Sequence, residues 1–262
     1  MPEEGGAVVE NLILENISLC SRDAVATVQI NREEKLNALN SKVLDELCCA
    51  FEMIGRDSSL RVVILTGAGS RAFAAGADLS EVTEKHTIEE LRNYYKLFNK
   101  LYAAIGEIPQ PVIARVNGYA FGGGCLLALA SDLIVATMKS SFSQPEVNFG
   151  FTGGAALLPR LVGKHKAAEI TMLGRPFSAE EAYRMGLVNS LVEESDLDGR
   201  VSDVCRTLLK KDALALAMIK RIIRNSFEVG LASANLYEDE CSTVCLHRPE
   251  SNQAILNFLK RK

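Results

Sequence analysis

A glycine-rich turn is the first segment of this sequence whose residue types suggest chemistry. Three consecutive glycines, Gly122 to Gly124, follow a segment typical of a strand and lead into an apolar run typical of a helix. Backbone N–H groups at a helix start lack intrahelical acceptors and carry a partial positive charge. They can bind an anion, or a developing oxyanion, without a charged side chain. Tight packing of a helix against a sheet explains the same glycines equally well.

A second turn of small residues, AFAAGADL at 72–79, has related properties. Its small side chains let a ligand or another backbone approach closely, and Asp78 is suited to cap a following helix. Neither turn matches the glycine patterns of dinucleotide or P-loop sites. If both turns lie at the C-terminal ends of parallel strands, each can donate one N–H to the same carbonyl oxygen. The two turns are therefore candidates for an oxyanion hole.

Alternating strand-like and helix-like segments must position these turns. Residues 24–30, 61–66 and 111–116 are predicted to be strands, because short β-branched runs end at turn residues. Residues 41–56 have helical apolar spacing, with Asn40 or Ser41 as the expected N-cap. Thr87 with Glu90 forms a capping-box pattern that starts another helix. This alternation predicts a largely parallel sheet. From Gly163 onward helices dominate, with a capping box at Ser178 and a long helix over 213–227.

Composition and charge exclude several classes of protein. The chain has 262 residues with 48% hydrophobic and 24% charged residues, which predicts a folded domain with a large core. The formal net charge is −4, from 29 basic and 33 acidic residues, which argues against a nucleic-acid partner. The most apolar stretch, 120–130, is far shorter than the roughly 20 residues of a membrane span. We therefore expect no membrane insertion.

The cysteines and histidines predict neither disulfides nor a metal site. Seven cysteines form an odd set without a CxxC pair, and three histidines show no ligand spacing with them. We interpret the cysteines as reduced, mostly buried thiols. The chain begins without a basic segment leading into an apolar run, so we expect a cytoplasmic protein.

Several motifs in order resemble the crotonase, or enoyl-CoA hydratase/isomerase, superfamily over roughly residues 12 to 261. They are Asn31-Arg32, Leu36-Asn37-Ala38-Leu39, Phe73 to Leu79, Pro111 to Ala114 with Asn117-Gly118, Gly122 to Cys125, Gln144-Pro145-Glu146 and Pro159 to Gly163. The resemblance implies an α/β fold with a crotonase-like spiral core of ββα units at 11–195. It also implies a helical C-terminal oligomerisation subdomain at 196–262, in a homotrimer or a dimer of trimers.

The resemblance also implies an acyl-CoA thioester substrate, with coenzyme A as part of the substrate and no separate cofactor. The thioester carbonyl would accept from the amides of Ala77 and Gly123, and Glu146 would be the catalytic carboxylate. The implied substrate-binding residues are Lys35, Leu36, Ala38, Ala75, Asp78, Leu79, Leu126, Phe258 and Arg261. Among these, Lys35 would meet the coenzyme A phosphates, and the C-terminal pair would touch the nucleotide.

One departure from the family pattern changes the expected chemistry. Hydratases of the family use two glutamates, but the position of the first holds Leu126 here. Addition of water uses two acid–base groups, whereas one carboxylate suffices to move a proton from C2 to C4 of a 3-enoyl thioester. We therefore expect a Δ3 to Δ2 isomerase, with hydration of 2-enoyl-CoA as the alternative. A loop at 150–159, shorter than the family's, leaves the acyl chain unspecified.

A different class of function, a non-catalytic coenzyme A or RNA binder, is also open. A basic cluster is the only feature that favours RNA, and its members are Lys210, Lys211, Lys220, Arg221 and Arg224. The last three alternate with apolar residues, so we interpret them as the solvated face of a helix that packs on the core.

Overall fold

A computed structural model describes residues 12–260 as two β-sheets surrounded by helices. The strands are β1 (Leu12–Ile13), β2 (Ile17–Arg22), β3 (Val25–Ile30), β4 (Val62–Gly67), β5 (Ala72–Ala74), β6 (Val112–Val116), β7 (Tyr119–Phe121), β8 (Leu133–Thr137), β9 (Ser141–Ser143), β10 (Phe177–Ser178) and β11 (Ser190–Val192). The helices are α1 (Ser41–Arg56), α2 (Leu79–Thr83), α3 (Ile88–Glu107), α4 (Gly123–Leu129), α5 (Leu158–Leu173), α6 (Ala179–Arg184), α7 (Leu197–Leu209), α8 (Ala213–Ser226), α9 (Leu231–Leu246) and α10 (Pro249–Leu259).

The larger sheet confirms the predicted parallel arrangement. Its order is β1-β2-β3-β4-β6-β8-β11, and every neighbouring pair from β3 to β11 is parallel. Nearly all side chains of β4 and β6 are buried, as expected of parallel strands covered on both faces. The three strands predicted from the sequence lie at its centre.

A smaller sheet of four short strands, ordered β10-β9-β7-β5, stands beside the larger one. Three times, the chain passes from a strand of the large sheet to a strand of the small sheet and then to a helix. These steps are β4-β5-α2, β6-β7-α4 and β8-β9-α5, and they form the ββα spiral implied by the resemblance. Because β5 pairs with β7 in parallel, both glycine-containing turns leave the same edge of this sheet.

Helices α1 and α3 cover one face of the large sheet, and α7 covers part of the other. The caps follow the sequence signals: Asn40 caps α1, and Thr87 and Ser178 form capping boxes with Glu90 and Glu181. The starts of these three helices thus agree with the capping residues in the sequence.

Lys220 corrects one interpretation of the C-terminal segment. We expected a solvated lysine on α8, but Lys220 is buried, with its Nζ 2.9 Å from a carboxylate oxygen of Asp132. It also donates to the carbonyls of Ile105 and Gln110. Burial lowers the pKa of the Lys220 ammonium, although Asp132 opposes that shift. The lysine therefore fastens α8 to the core and is unavailable to bind RNA.

The described residues bear on the expectations about cysteines, metal sites and membrane spans. All seven cysteines are free thiols in the structure, and four of them are buried. Residues 12–260 contain no group of three or more potential metal ligands. Within that range, no helix is both long and apolar enough to cross a bilayer. The N-terminal residue of the proposed core, Asn11, lies outside the described residues.

Candidate active site

The two turns predicted to bind an oxyanion meet in the structure. Gly76 has a φ of +97°, and a Cβ there would lie 2.7 Å from the carbonyl oxygen of Phe121 and 3.3 Å from the amide nitrogen of Gly123. Only a residue without a side chain allows this approach. The turn after β5 therefore lies directly against the turn after β7.

The amide of Ala77 lies beside a backbone bridge to Leu39. Leu39 donates its N–H to the Gly76 carbonyl at 2.7 Å, and the Asp78 N–H donates to the Leu39 carbonyl at 3.1 Å. The carbonyl of Gly76 and the amide of Ala77 belong to one planar peptide group, in which N–H and C=O point in opposite directions. The Ala77 N–H is consequently directed away from Leu39, and Ala77 lines the cavity on that side.

Gly123 is the first residue of α4, so its amide is one of the four at the helix start that lack an intrahelical acceptor. The Gln144 side-chain amide donates to the Gly122 carbonyl at 3.1 Å. That carbonyl shares a peptide group with the Gly123 amide. On the other side, the Tyr102 hydroxyl donates to the Gly123 carbonyl at 2.9 Å. Two side chains thus hold the turn in place.

Glu146 lies at the start of a short 3-10 helix, Glu146–Phe149, and is only 8% exposed. Its Oε2 has no hydrogen-bond partner among the described residues. Burial raises the pKa of the carboxyl, and a hydrogen bond from its own backbone amide opposes that shift. A desolvated carboxylate of this kind is well suited to take up and return a proton.

Glycines leave the space that the Glu146 carboxyl occupies. A Cβ at Gly122 would lie 2.8 Å from Oε1, and one at Gly153 would lie 2.4 Å from the carboxyl carbon. The first glycine lies on the turn of the candidate oxyanion hole, and the second lies on the loop after the 3-10 helix. The site therefore depends on small residues on both sides of its acid.

Replacing Gly122 by alanine is expected to lower turnover about 100-fold, because an ångström of misplacement can cost that much. Its φ is +50°, and the added methyl group would displace the Glu146 carboxyl. The measurement is kcat. Gly186→Ala is the matched control, since its φ is +77° but a Cβ there meets no atom within 4 Å. Equal losses in both variants would show that backbone strain alone matters.

A cavity of about 370 Å³ contains these groups. Its wall is mostly aromatic and aliphatic, with Phe98, Phe121, Phe151 and Leu126 among its residues. Among the described residues, Glu146 is the sole carboxylate in this wall. Leu126 therefore leaves the cavity with a single acidic group, as its position in the sequence indicated.

The nine predicted substrate-binding residues fall into three groups, of which the two C-terminal residues are the last. Ala75, Leu79 and Leu126 line the cavity together with the catalytic candidates. Four others do not line the cavity, namely Lys35, Leu36, Ala38 and Asp78. Asp78 caps α2 by accepting from the Ser80 amide, and the Leu36 carbonyl accepts from the Ala75 amide at 3.0 Å. Lys35 is exposed at the end of the turn Glu33–Lys35.

Of the two C-terminal predictions, one lies away from the cavity wall and the other lies outside the described residues. Phe258 is 62% exposed on α10 and is not part of the cavity wall. Arg261 lies outside the described residues. Contact of this segment with a nucleotide therefore remains a prediction.

Polar residues of α3 were missed by the sequence analysis. Tyr95, Asn99 and Tyr102 have i, i+4 and i+7 spacing and all line the cavity beside Phe98. Burial raises the pKa of the Tyr95 hydroxyl, and the nearby Glu146 carboxylate raises it further. Their helical spacing indicates that they share one side of α3. The apolar residues of the same helix indicated only packing against the core, so a place in the cavity wall was not predicted.

The chain is similar to known proteins over nearly its whole length. A family profile described as enoyl-CoA hydratase/isomerase matches residues 21–262. The chain belongs to this family. It is 37% identical over 252 residues to the short-chain-enoyl-CoA hydratase of Clostridium acetobutylicum, covering 95% of this chain and 96% of that protein. It is 33% identical to the crotonyl-CoA hydratase of Syntrophomonas wolfei, with the same two coverages.

Solved structures confirm the fold. The crystal structure of an enoyl-CoA hydratase from Mycobacterium smegmatis superposes with a TM-score of 0.91 at 30% identity, covering 95% of this chain and 98% of that one. The family and the α/β fold with C-terminal helices, both predicted from the sequence, are therefore confirmed. The preference for isomerisation over hydration is not supported, because the names of these relatives fit the alternative better.

Proposed function

We propose that this protein transforms enoyl-CoA thioesters through an enolate, with Glu146 as the only carboxylate that moves protons. One observation carries the proposal: the Glu146 carboxyl, Ala77 and Gly123 line one largely apolar cavity. The thioester oxygen accepts from the two amides, which stabilise the negative charge that develops on it. The low-dielectric wall strengthens that interaction, because it excludes water from the developing charge.

Hydration is the reaction that the names of the relatives favour. In this reaction Glu146 takes a proton from water, the water oxygen bonds to C3, and the C2–C3 π electrons move into the thioester as an enolate. The same carboxyl then returns its proton to C2. A single carboxylate completes this cycle only if other groups hold the water, since Leu126 supplies no hydrogen bond.

Isomerisation is the second candidate, and Leu126 is the observation that favours it. Here Glu146 removes a proton from C2 of a 3-enoyl thioester and the electrons spread into a dienolate. The same carboxyl gives the proton to C4, and the double bond moves to C2–C3. This cycle needs no bound water, so an apolar side chain at position 126 is no obstacle.

Two substrates distinguish these reactions. The purified protein is incubated with crotonyl-CoA and, separately, with 3-hexenoyl-CoA. The absorbance of the conjugated enoyl thioester is followed, and the products are confirmed by mass. Hydration adds the mass of water, whereas isomerisation leaves the mass unchanged. Conversion of neither substrate would contradict the proposal in this form and favour a coenzyme A binder without turnover.

The Tyr95 hydroxyl is expected to matter for hydration more than for isomerisation. It lines the cavity near Glu146 and makes no hydrogen bond within the described part of the chain, so it can hold a water molecule. Tyr95→Phe should lower the hydration rate about tenfold, in line with the loss of one hydrogen bond, and change isomerisation little. The measurement is kcat on both substrates; equal effects on both would contradict a role in holding water.

The pH dependence follows from the raised pKa of Glu146. Proton abstraction needs the ionised carboxylate, so the rate should fall as the pH drops through the raised pKa of that group. Because burial raises this pKa, the fall should begin above the ordinary glutamate value of about 4.3. The measurement is kcat against pH. A rate independent of pH down to that value would contradict a desolvated base.

We also propose that the chain assembles as a homotrimer or a dimer of trimers through residues 196–262 and acts in the cytoplasm. Exposed apolar side chains on the last helices support the assembly, including Leu231, Leu236, Leu246 and Phe258. Such surface favours burial against a second copy. The molar mass in solution, measured by light scattering, tests the assembly.

A further inference from the structure

We infer that Arg32 is a positioning residue that fixes the direction of the Ala77 amide in the candidate oxyanion hole. The inference rests on the proposed function and deepens it, because it assigns a role to a side chain that does not line the cavity. It follows from the contacts between two backbone segments, 36–39 and 75–78.

The Ala77 amide is oriented through the Leu39 bridge. Leu39 holds the Gly76 carbonyl at 2.7 Å, and this carbonyl shares a rigid peptide group with the Ala77 N–H. A rotation of that peptide would break the bridge and swing the N–H out of the cavity. The direction of the Ala77 N–H therefore depends on the contact between segments 36–39 and 75–78.

Arg32 joins the two segments beside this bridge. One guanidinium nitrogen donates to the Ala38 carbonyl at 2.6 Å, and another donates to a carboxylate oxygen of Asp78 at 3.0 Å. Ala38 precedes Leu39, and Asp78 follows Ala77, so the arginine spans the bridge from one chain to the other. The side chains of this pair are only 13% and 12% exposed, which limits screening by solvent.

The Asp78 carboxylate is held from a second direction. It accepts from the Ser80 amide as the cap of α2, so its position is fixed when Arg32 approaches it. The planar guanidinium can serve both acceptors at once, whereas a lysine ammonium has no such rigid fork. The Tyr94 hydroxyl donates to the Leu39 carbonyl at 2.6 Å and adds a separate tie. Loss of Arg32 should therefore loosen the bridge without destroying it.

The test measures enolate formation apart from hydration or isomerisation. The protein is incubated with butyryl-CoA in D2O, and exchange of the C2 proton is followed by mass. Arg32→Met should slow this exchange about 10- to 100-fold, because misplacement of an oxyanion donor costs rates of this order. The Kd for butyryl-CoA should change less than threefold. The carbonyl stretching band of the bound thioester should shift towards its frequency in solution.

Further variants separate positioning from stability. Asp78→Asn should slow exchange to a similar degree, and the double variant should be no slower than the worse single one. Arg32→Lys should restore part of the rate. Arg115→Met is the matched control, since Arg115 also forms an ion pair, with Asp198, but touches neither segment of the bridge nor Tyr94. Its exchange rate should equal that of the unaltered protein.

The outcomes are distinguishable. Unaltered exchange and an unshifted carbonyl band in folded Arg32→Met would overturn the inference while leaving the proposed function intact. If Arg32→Met fails to fold, the exchange rates of Asp78→Asn and Arg32→Lys decide the matter in the same way. If the unaltered protein shows no exchange at any pH at which Glu146 is ionised, the proposed function is overturned and the inference with it.

Discussion

Glu146→Gln is expected to lower kcat about 10²- to 10⁴-fold, the range in which a general acid–base group contributes. The amide keeps the shape of the side chain but cannot take up a proton. Because Glu146 is the sole carboxylate of the cavity wall among the described residues, no neighbour can replace it. The loss should appear with both 2-enoyl and 3-enoyl substrates.

Substrate affinity distinguishes the loss of the Glu146 base from misfolding of the Glu146→Gln variant. The Kd for a saturated acyl-CoA should remain within threefold of that of the unaltered protein, since the amides of Ala77 and Gly123 are unchanged. The variant should also unfold at no lower temperature near neutral pH. Burial raises the pKa of this carboxyl, so its ionisation opposes folding at pH values above that pKa. A variant that keeps full turnover would contradict the assigned role.

Leu126→Glu is expected to raise the ratio of hydration to isomerisation by at least about tenfold, because a second acid–base group contributes 10²-fold or more when it is well placed. Leu126 lies half-buried in the wall that also contains Glu146. A carboxylate there would accept a hydrogen bond from water and share the proton transfers. The measurement is the ratio of kcat/KM for crotonyl-CoA to that for 3-hexenoyl-CoA.

Leu126→Gln is the matched control for that change. A glutamine side chain has the same length as glutamate and can also hydrogen-bond to water, but it cannot take up and return a proton. A rise in the ratio with glutamate but not with glutamine identifies acid–base chemistry as the cause. If neither variant changes the ratio, position 126 does not decide the reaction, and the hydratase activity named for the relatives needs no second carboxylate here.

Capped and amphipathic elements of the fold could be predicted from the sequence because their signals are local. Asn40 and Thr87 mark helix starts, and strands β3, β4 and β6 are β-branched runs that end at turns. The smaller sheet was not predicted, since its strands have two or three residues and no visible periodicity. Such strands are defined by pairing between distant segments and not by their own residues.

The candidate site was predicted unevenly for a similar reason. The two turns and Glu146 belong to motifs that could be seen in the sequence, whereas the resemblance could not show what supports them. Arg32 bonds to Asp78, which is 46 positions away, and Tyr95 lines the same cavity as Glu146, which is 51 positions away. Lys220 was misinterpreted because helical spacing alone does not show that its ammonium pairs with Asp132 and donates to two backbone carbonyls in the folded chain.

Exchange of the C2 proton of butyryl-CoA with solvent deuterium tests the central claim most directly, because exchange at C2 requires an enolate. We expect exchange by the unaltered protein, a loss of about 10²-fold or more in Glu146→Gln, and little change in binding. Equal exchange in both proteins, with binding intact, would contradict Glu146 as the base. The enolate would then have to form through another group of the cavity.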